Sequence, residues 1–151
     1  EDSEKCRVSD GISYSNSAIS HYFGGKTINE LKNYILTDKI FNKVNDTWTV
    51  QENGKLCITY QTTENGYNAR SFEDAFIHIN RNFVNSNKDG FKGLKNKALF
   101  DTDADAYDLA SNCIKKKTHF AMDIIFHTNK TFNNWEIPSY IKEGLLWLKK
   151  D

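Results

Sequence analysis

The segment SFEDAFIHINRNFV (71–84) restricts the fold more than any other stretch, because it carries two independent helix signals. Ser71 has the character of an N-cap, and Asp74 follows three residues later in the position of a capping box. Behind this start, large apolar residues recur at the spacing of one helix face: Phe72, Phe76, Ile79 and Phe83. The segment therefore predicts an amphipathic helix whose aromatic face packs into a core.

Strand signals occur upstream of this helix. The segment TWTVQENGKLCITYQT (47–62) alternates apolar and polar residues on both sides of Asn53-Gly54, which predicts a β-hairpin with its turn at that dipeptide. Before it, Thr27-Ile28-Asn29-Glu30 forms a capping box and predicts a helix from Thr27 to about Ile35.

Helix signals dominate downstream. The segments AYDLASNCIKK (106–116) and THFAMDIIF (118–126) predict two helices, with Thr118 as a candidate N-cap of the second. Pro138 suits the first turn of a final helix, whose inward-facing residues are expected to be Ile141, Leu145 and Leu146. The succession of strands and helices predicts a mixed α/β fold weighted toward helix.

Length, composition and charge limit the class of protein. The 151 residues suit one domain or a large part of one, and 38% hydrophobic residues are enough for a core. The 20 basic residues balance the 20 acidic ones, so contact with nucleic acid would depend on local clusters of charge. No apolar run approaches the roughly 20 residues that cross a bilayer, and the acidic start EDSEKC is unlike a signal peptide.

The three cysteines, Cys6, Cys57 and Cys113, lie far apart and include no CxxC pair. An odd number of scattered cysteines is a poor disulfide framework. We therefore expect three reduced thiols, two of them buried, in a cytoplasmic protein.

Two charged residues allow either a structural or a chemical interpretation. Glu73 falls in the first turn of the predicted helix, where a carboxylate favours the helix dipole but also provides a hard oxygen ligand for Mg²⁺. Lys117 ends the run Lys115-Lys116-Lys117. That run is either a solvated face, or its last ammonium is held where it neutralises charge developing on a phosphate.

The acidic segment DTDADAYDLASN (101–112) has aspartates at positions 1, 3 and 5 of a calcium loop. Ala106 stands where such a loop needs glycine, and Asn112 stands where it needs a bidentate glutamate. We expect this segment to cap a helix rather than to bind calcium.

Three segments together resemble one family. They are YQTTENGYNARSFEDAFIHIN (60–80), KKKTHFAMDIIF (115–126) and NWEIPSYIKEGLLWLKK (134–150). In this order they are similar to the C-terminal part of ATP-dependent endonucleases of the OLD family. The opening CRVSDGISYSNSAI (6–19) is similar to the stretch that follows the DxD motif in that family.

The resemblance implies a Toprim-type nuclease domain with a parallel sheet core, flanking helices and, in this chain, a β-hairpin. It implies DNA cleavage with Mg²⁺ or Mn²⁺, an ATP-binding domain upstream, homo-oligomers and a role in defence against phage. Within these residues it makes Glu73 a metal ligand with Ser71 beside it, Lys117 the catalytic lysine, and Lys115 and Lys116 contacts to DNA.

The chain departs from the family pattern in several places. The 151 residues contain neither the upstream acidic motifs nor a Walker motif, and His119 stands where family members usually carry aspartate after the Lys-Thr pair. Asp101-Thr102-Asp103 is formally a DxD, but it follows Glu73 in the chain. We therefore expect a C-terminal segment of a longer nuclease, inactive by itself because two-metal hydrolysis needs the whole acidic cluster.

Two other functions stay open. A non-catalytic α/β module with lysine clusters at 92–97 and 115–117 would bind DNA backbone or a protein partner. A small secreted protein would carry glycans at the acceptor triplets that begin at Asn45 and Asn129.

Overall fold

The computed structural model describes residues 6–149, which fall into two compact units. The first unit combines the residues up to Asn68 with those from Ser139 onward, and the second spans Ala69–Pro138. The described residues contain seven α-helices and two small antiparallel sheets, so the mixed helix and strand content that the sequence predicts is confirmed.

The first unit carries all the strands and three of the helices. Its elements in chain order are α1 (Ser17–Tyr22), α2 (Ile28–Leu31), β1 (Ile40–Val44), β2 (Thr47–Val50), β3 (Leu56–Cys57), β4 (Thr63–Glu64), β5 (Tyr67–Asn68) and α7 (Ser139–Leu148). The capping box at Thr27 is present as predicted, with Thr27 Oγ1 accepting from Glu30 N. The helix it starts ends at Leu31, four residues before the predicted end.

The predicted hairpin is wrong in its pairing. The strand β1 pairs with β2 on one side and with β3 on the other, giving the order β2-β1-β3. The hairpin joins β1 to β2 through Asn45 and Asp46, whose φ values of 47° and 62° are typical of a two-residue type I′ turn. Gly54 instead lies where the chain returns to the other edge of β1, and a Cβ there would be 2.2 Å from Phe41 O.

Aromatic residues from several elements form the core of the first unit. Phe23 contacts the rings of Phe41 and Tyr60 at centroid distances of 5.1 and 5.4 Å. The Tyr60 hydroxyl donates to Leu31 O at 3.1 Å, which ties the end of α2 to this cluster.

The helix α7 exposes its apolar side chains more than the sequence predicts. Ile141 is half-buried, but Leu145 and Leu146 are more than half exposed, so their predicted inward packing is wrong. The buried anchor of this helix in its own unit is polar, because Glu143 forms an ion pair with the fully buried Lys39. A glutamate inside an amphipathic pattern gives no local sign of such a partner.

The second unit is helical. It contains α3 (Phe72–Ile79), α4 (Arg81–Asn87), α5 (Ala106–Cys113) and α6 (Lys117–Phe126), and α3 packs against α5. The predicted helix 71–84 is interrupted at Asn80. The Asn80 amide exchanges two hydrogen bonds with the backbone of Glu136, at 2.9 and 2.7 Å, and this long-range contact coincides with the break.

The aromatic stripe is only partly buried. Phe76 is fully buried and lies 6.0 Å from the Phe120 ring, while Phe72 and Ile79 are half-buried. Glu73, which is not part of the apolar stripe, is itself buried within the unit. The core therefore covers a wider arc of α3 than the stripe alone indicates.

Neither sheet of residues 6–149 contains the parallel strands expected of a Toprim core, because every strand pair is antiparallel. Within the same residues, no helix combines the length and apolar character that crossing a membrane requires.

Candidate functional site

The start of α3 fixes Glu73. Asp74 is fully buried, and its carboxylate accepts from Arg70 N at 2.8 Å and from Ser71 N at 2.6 Å. This is the predicted capping box, and it ties the last residues before the helix to its first turn. Glu73 lies in that turn, so its side chain projects from a constrained backbone.

The Ser71 hydroxyl is committed to the same cap. Ser71 Oγ donates to Asp74 Oδ1 at 2.6 Å and accepts from Asp74 N at 3.5 Å. A metal contact from Ser71 would require this hydroxyl to give up its bond to Asp74. In this geometry Ser71 caps α3 and so helps to fix the first turn of the helix, which carries Glu73.

The start of α6 fixes Lys117. This residue is the first of the helix, Lys116 is the N-cap residue, and no side chain caps the helix. Thr118 is therefore not the N-cap, and that prediction is wrong. The backbone before the helix is held instead by Gly93 O, which accepts from Lys115 N at 2.8 Å and from Lys116 N at 3.3 Å.

The structure brings Lys117 and Glu73 together. Lys117 Nζ lies 3.1 Å from Glu73 Oε2, although the residues are 44 positions apart in the chain. The Lys117 side chain is 68% exposed and the Glu73 side chain is 8% exposed. The ammonium thus reaches from solvent toward a carboxylate that is recessed in the protein, and a solvent-borne anion has access to the ammonium.

Glu73 is a suitable single ligand for a hard divalent cation, because it offers carboxylate oxygens held on a helix. The Lys117 ammonium contacts its Oε2, so a cation bound through that oxygen would displace the ammonium. Glu73 does not form a complete metal site. Among residues 6–149 no group of three or more histidine, cysteine, aspartate or glutamate side chains converges as metal ligands would.

Lys115 and Lys116 have exposed side chains and lie beside a second lysine-rich segment. Leu94 forms an antiparallel bridge with Ile114, and the flanking Lys95 N donates to Cys113 O at 2.8 Å. Burial raises the pKa of the Cys113 thiol, and the positive charge of the nearby Lys95 opposes that shift. The two lysine clusters of the sequence are therefore neighbours in the structure.

Four of these lysines form no close ion pair with a carboxylate among residues 6–149. They are exposed and come from both segments: Lys92, Lys95, Lys115 and Lys116. They define one cationic surface on the second unit, and it includes the two predicted DNA contacts.

Sequence reasoning missed two residues that hold this region, Gly93 and Asp123. Asp123 is buried at 8% exposure, and its Oδ2 accepts from Gly93 N at 2.7 Å. One signal was available, because Asp123 has the helical spacing of the buried residues Phe120 and Ile124 and is therefore a carboxylate on an apolar face.

The acidic segment 101–112 behaves as a helix start. Asp105 is the N-cap of α5 and accepts from Asp108 N at 3.0 Å, while Asp101 pairs with Lys88. The expectation of a capping segment is confirmed.

The three thiols are free, in agreement with the sequence, but only Cys113 is buried, where two buried cysteines were expected. No protein-family model, no curated protein and no solved structure matches the chain.

Proposed function

We propose that this chain is the C-terminal part of the Toprim nuclease domain of an OLD-family ATP-dependent endonuclease. In this proposal the complete protein cuts DNA with Mg²⁺ or Mn²⁺, acts in the cytoplasm as a homo-oligomer and serves in defence against phage. The remaining acidic ligands, the parallel sheet and the ATP-binding domain belong to the rest of that polypeptide.

One observation carries the proposal: the 3.1 Å contact between Lys117 Nζ and Glu73 Oε2. The two residues were selected from separate segments for complementary roles in phosphodiester cleavage, and nothing in their spacing requires them to meet. The contact places an ammonium beside a carboxylate, as the two proposed roles require, and an assay of the two variants tests those roles.

The exposed ammonium of Lys117 suits a role in charge stabilisation. Held by the start of α6, it would neutralise charge that develops on the phosphate oxygens as the bond to the leaving oxygen lengthens. Glu73 would be one carboxylate ligand of a divalent cation, which when bound generates the attacking hydroxide and stabilises the leaving oxygen. Lys115 and Lys116 would hold the neighbouring phosphates of the strand.

Plasmid nicking by the full-length protein with Mn²⁺ tests these roles. We expect Lys117→Ala and Glu73→Ala each to lower the nicking rate at least about 100-fold, the size of effect seen when a transition-state contact is removed. Lys130→Ala is the matched control, because Lys130 is an exposed lysine of the same unit that lies beyond the end of α6.

Thermal unfolding of each variant separates catalysis from structure. Loss of nicking with an unchanged unfolding temperature supports the catalytic roles. If Lys117→Ala and Glu73→Ala both nick DNA like the wild type, the ion pair is structural and the assigned site is wrong. If the wild type itself does not nick DNA with Mn²⁺, the nuclease proposal is wrong.

The cationic surface favours a second candidate function, a module that binds nucleic-acid backbone without cutting it. Each lysine that neutralises a phosphate contributes about −0.9 to the slope of log K against log salt. In this case Lys92→Gln and Lys95→Gln would each flatten the slope by about that amount, while Glu73→Ala would leave binding unchanged. A salt-independent affinity for DNA would exclude it.

A further inference from the structure

Asp123 is a buried carboxylate that the proposed chemistry does not use. It lies on the second turn of α6, among side chains that face the core, and is 8% exposed. Its Oδ2 accepts the backbone N–H of Gly93 at 2.7 Å, a short hydrogen bond for an N–H donor. A carboxylate is kept in such a place only if its hydrogen bonds compensate for lost hydration.

Gly93 connects this carboxylate to the start of the same helix. Its carbonyl oxygen accepts from Lys115 N and Lys116 N, the two residues before Lys117. A Cβ at Gly93 would be 2.3 Å from Phe120 N and 2.7 Å from Phe120 Cα, so only glycine lets the segment approach α6 this closely. Gly93 is thus held at both of its backbone polar groups: α6 binds its N–H, and the residues that precede α6 bind its carbonyl oxygen.

Building on the function proposed above, we propose that Asp123 and Gly93 are positioning residues for Lys117. Their hydrogen bonds form what we call the Gly93 clamp: Asp123 Oδ2 to Gly93 N, and Gly93 O to the N–H groups of Lys115 and Lys116. The clamp supplies the restraint that a capping side chain would otherwise give to the first turn of α6.

The clamp acts on Lys117 through the backbone. Without it, the two residues before the helix lose their hydrogen-bond acceptor, and the first turn frays because no side chain caps it. Lys117 would then sample many positions around Glu73 instead of one. Misplacing a reacting group by about 1 Å lowers the rate by as much as about 100-fold, and we expect an intermediate loss of about tenfold.

The first arm of the test measures the clamp without any reaction. Amide hydrogen exchange of the 151-residue chain is followed by NMR for Gly93, Lys115 and Lys116. We expect Asp123→Leu, which removes the acceptor at similar volume, to accelerate all three amides at least about tenfold. Asp123→Asn retains an acceptor oxygen and should restore most of the protection.

Two glycine variants of the same segment provide the comparison. Gly93→Ala places its methyl group against the backbone of Phe120 and should accelerate the same amides. Gly90→Ala meets only the ring of His127, at 2.7 Å, and a side chain moves aside more easily than backbone. Gly90→Ala is therefore the control that leaves the three amides protected, and Gly93→Ala replaces Asp123→Leu if the latter does not fold.

The second arm measures single-turnover nicking by the full-length protein at saturating protein concentration. We expect Asp123→Leu to lower the rate about tenfold, with DNA affinity unchanged and Asp123→Asn close to the wild type. Unchanged exchange at Lys115 and Lys116 refutes the clamp. Faster exchange with an unchanged rate shows that the clamp orders the segment without positioning Lys117, which also overturns the inference.

The two arms keep this inference separate from the proposed function. If Lys117→Ala nicks like the wild type, the catalytic role of Lys117 fails and positioning for catalysis fails with it. The exchange arm then still decides whether Asp123 holds the lysine segment in place.

Discussion

The ion pair between Lys39 and Glu143 leads to an asymmetric prediction for stability. The Lys39 side chain is 0% exposed and the Glu143 side chain is 23% exposed. The Lys39 ammonium also lies 5.6 Å from the centroid of the Tyr60 ring, a contact too weak to replace a carboxylate. Water can reach Glu143 when its partner is removed, but it cannot reach Lys39 without local unfolding.

The perturbation is a pair of matched variants, Glu143→Met and Lys39→Met. Removing one partner of a buried ion pair costs about 3–5 kcal/mol, because the other charge stays buried without compensation. For Glu143→Met we expect about 3 kcal/mol, the lower end of that range, since the carboxylate is partly hydrated at the start. For Lys39→Met we expect about 1 kcal/mol, because the remaining carboxylate turns to solvent and the methionine fills the space.

Urea unfolding followed by tryptophan fluorescence measures this difference. In a Trp135→Phe background the remaining tryptophans, Trp48 and Trp147, both belong to the first unit. With a urea dependence of about 2 kcal/mol per molar, a loss of 3 kcal/mol lowers the midpoint by about 1.5 M.

The neighbouring Lys142 serves as the control for that series. It is an exposed lysine on the same helix, and Lys142→Met should change stability by less than about 0.5 kcal/mol. If Lys39→Met proves as costly as Glu143→Met, the ammonium is not the trapped charge and the reasoning from exposure is refuted.

Three further predictions concern caps and thiols. The backbone hydrogen bond from Thr27, followed by the Lys26 ammonium, lowers the pKa of Glu30 from 4.5 to about 2. The stabilisation from the Glu30 carboxylate is therefore complete above about pH 4.5 and is lost as pH falls toward 2. Glu30→Gln should reduce the dependence of the urea midpoint on pH across this window. An unchanged dependence on pH would contradict the assignment. Burial raises the pKa of the Cys113 thiol, so iodoacetamide at neutral pH should leave Cys113 unmodified until urea unfolds the second unit. Labelling of Cys113 in the native protein would contradict this prediction, because it would show that the reagent reaches the thiol. Ser71→Ala should cost about 1 kcal/mol through loss of the cap, while Ser71→Thr keeps a hydroxyl that both donates and accepts and should retain it. Equal stability of the two variants would argue against the capping role.

Parts of the fold that depend on a few neighbouring residues were predictable. The caps at Thr27 and Ser71 were predicted correctly, because all the residues of a capping box lie within four positions of the chain. The helix predicted for 106–116 was also found, although it ends at Cys113, and its acidic start was correctly assigned to capping.

The strand pairing was not predictable, because it depends on which distant segment lies alongside. Asn53-Gly54 is a stronger hairpin signal than Asn45-Asp46, yet the latter forms the turn. The sequence analysis predicted no strand at Ile40 and Phe41, and only their position between two partners makes them part of the central strand. The same dependence on distant contacts ends the long helix at Asn80.

For the candidate site, the sequence and the resemblance together selected Glu73 and Lys117 as residue types suited to the chemistry, and the run of lysines indicated a local positive charge. The tertiary structure decided that these two side chains meet, that Lys92 and Lys95 adjoin Lys115 and Lys116, and that a buried Asp123 holds Gly93. Helix starts follow from bonds between residues three or four positions apart, whereas contacts across 30 or 44 positions exist only once the helices have packed.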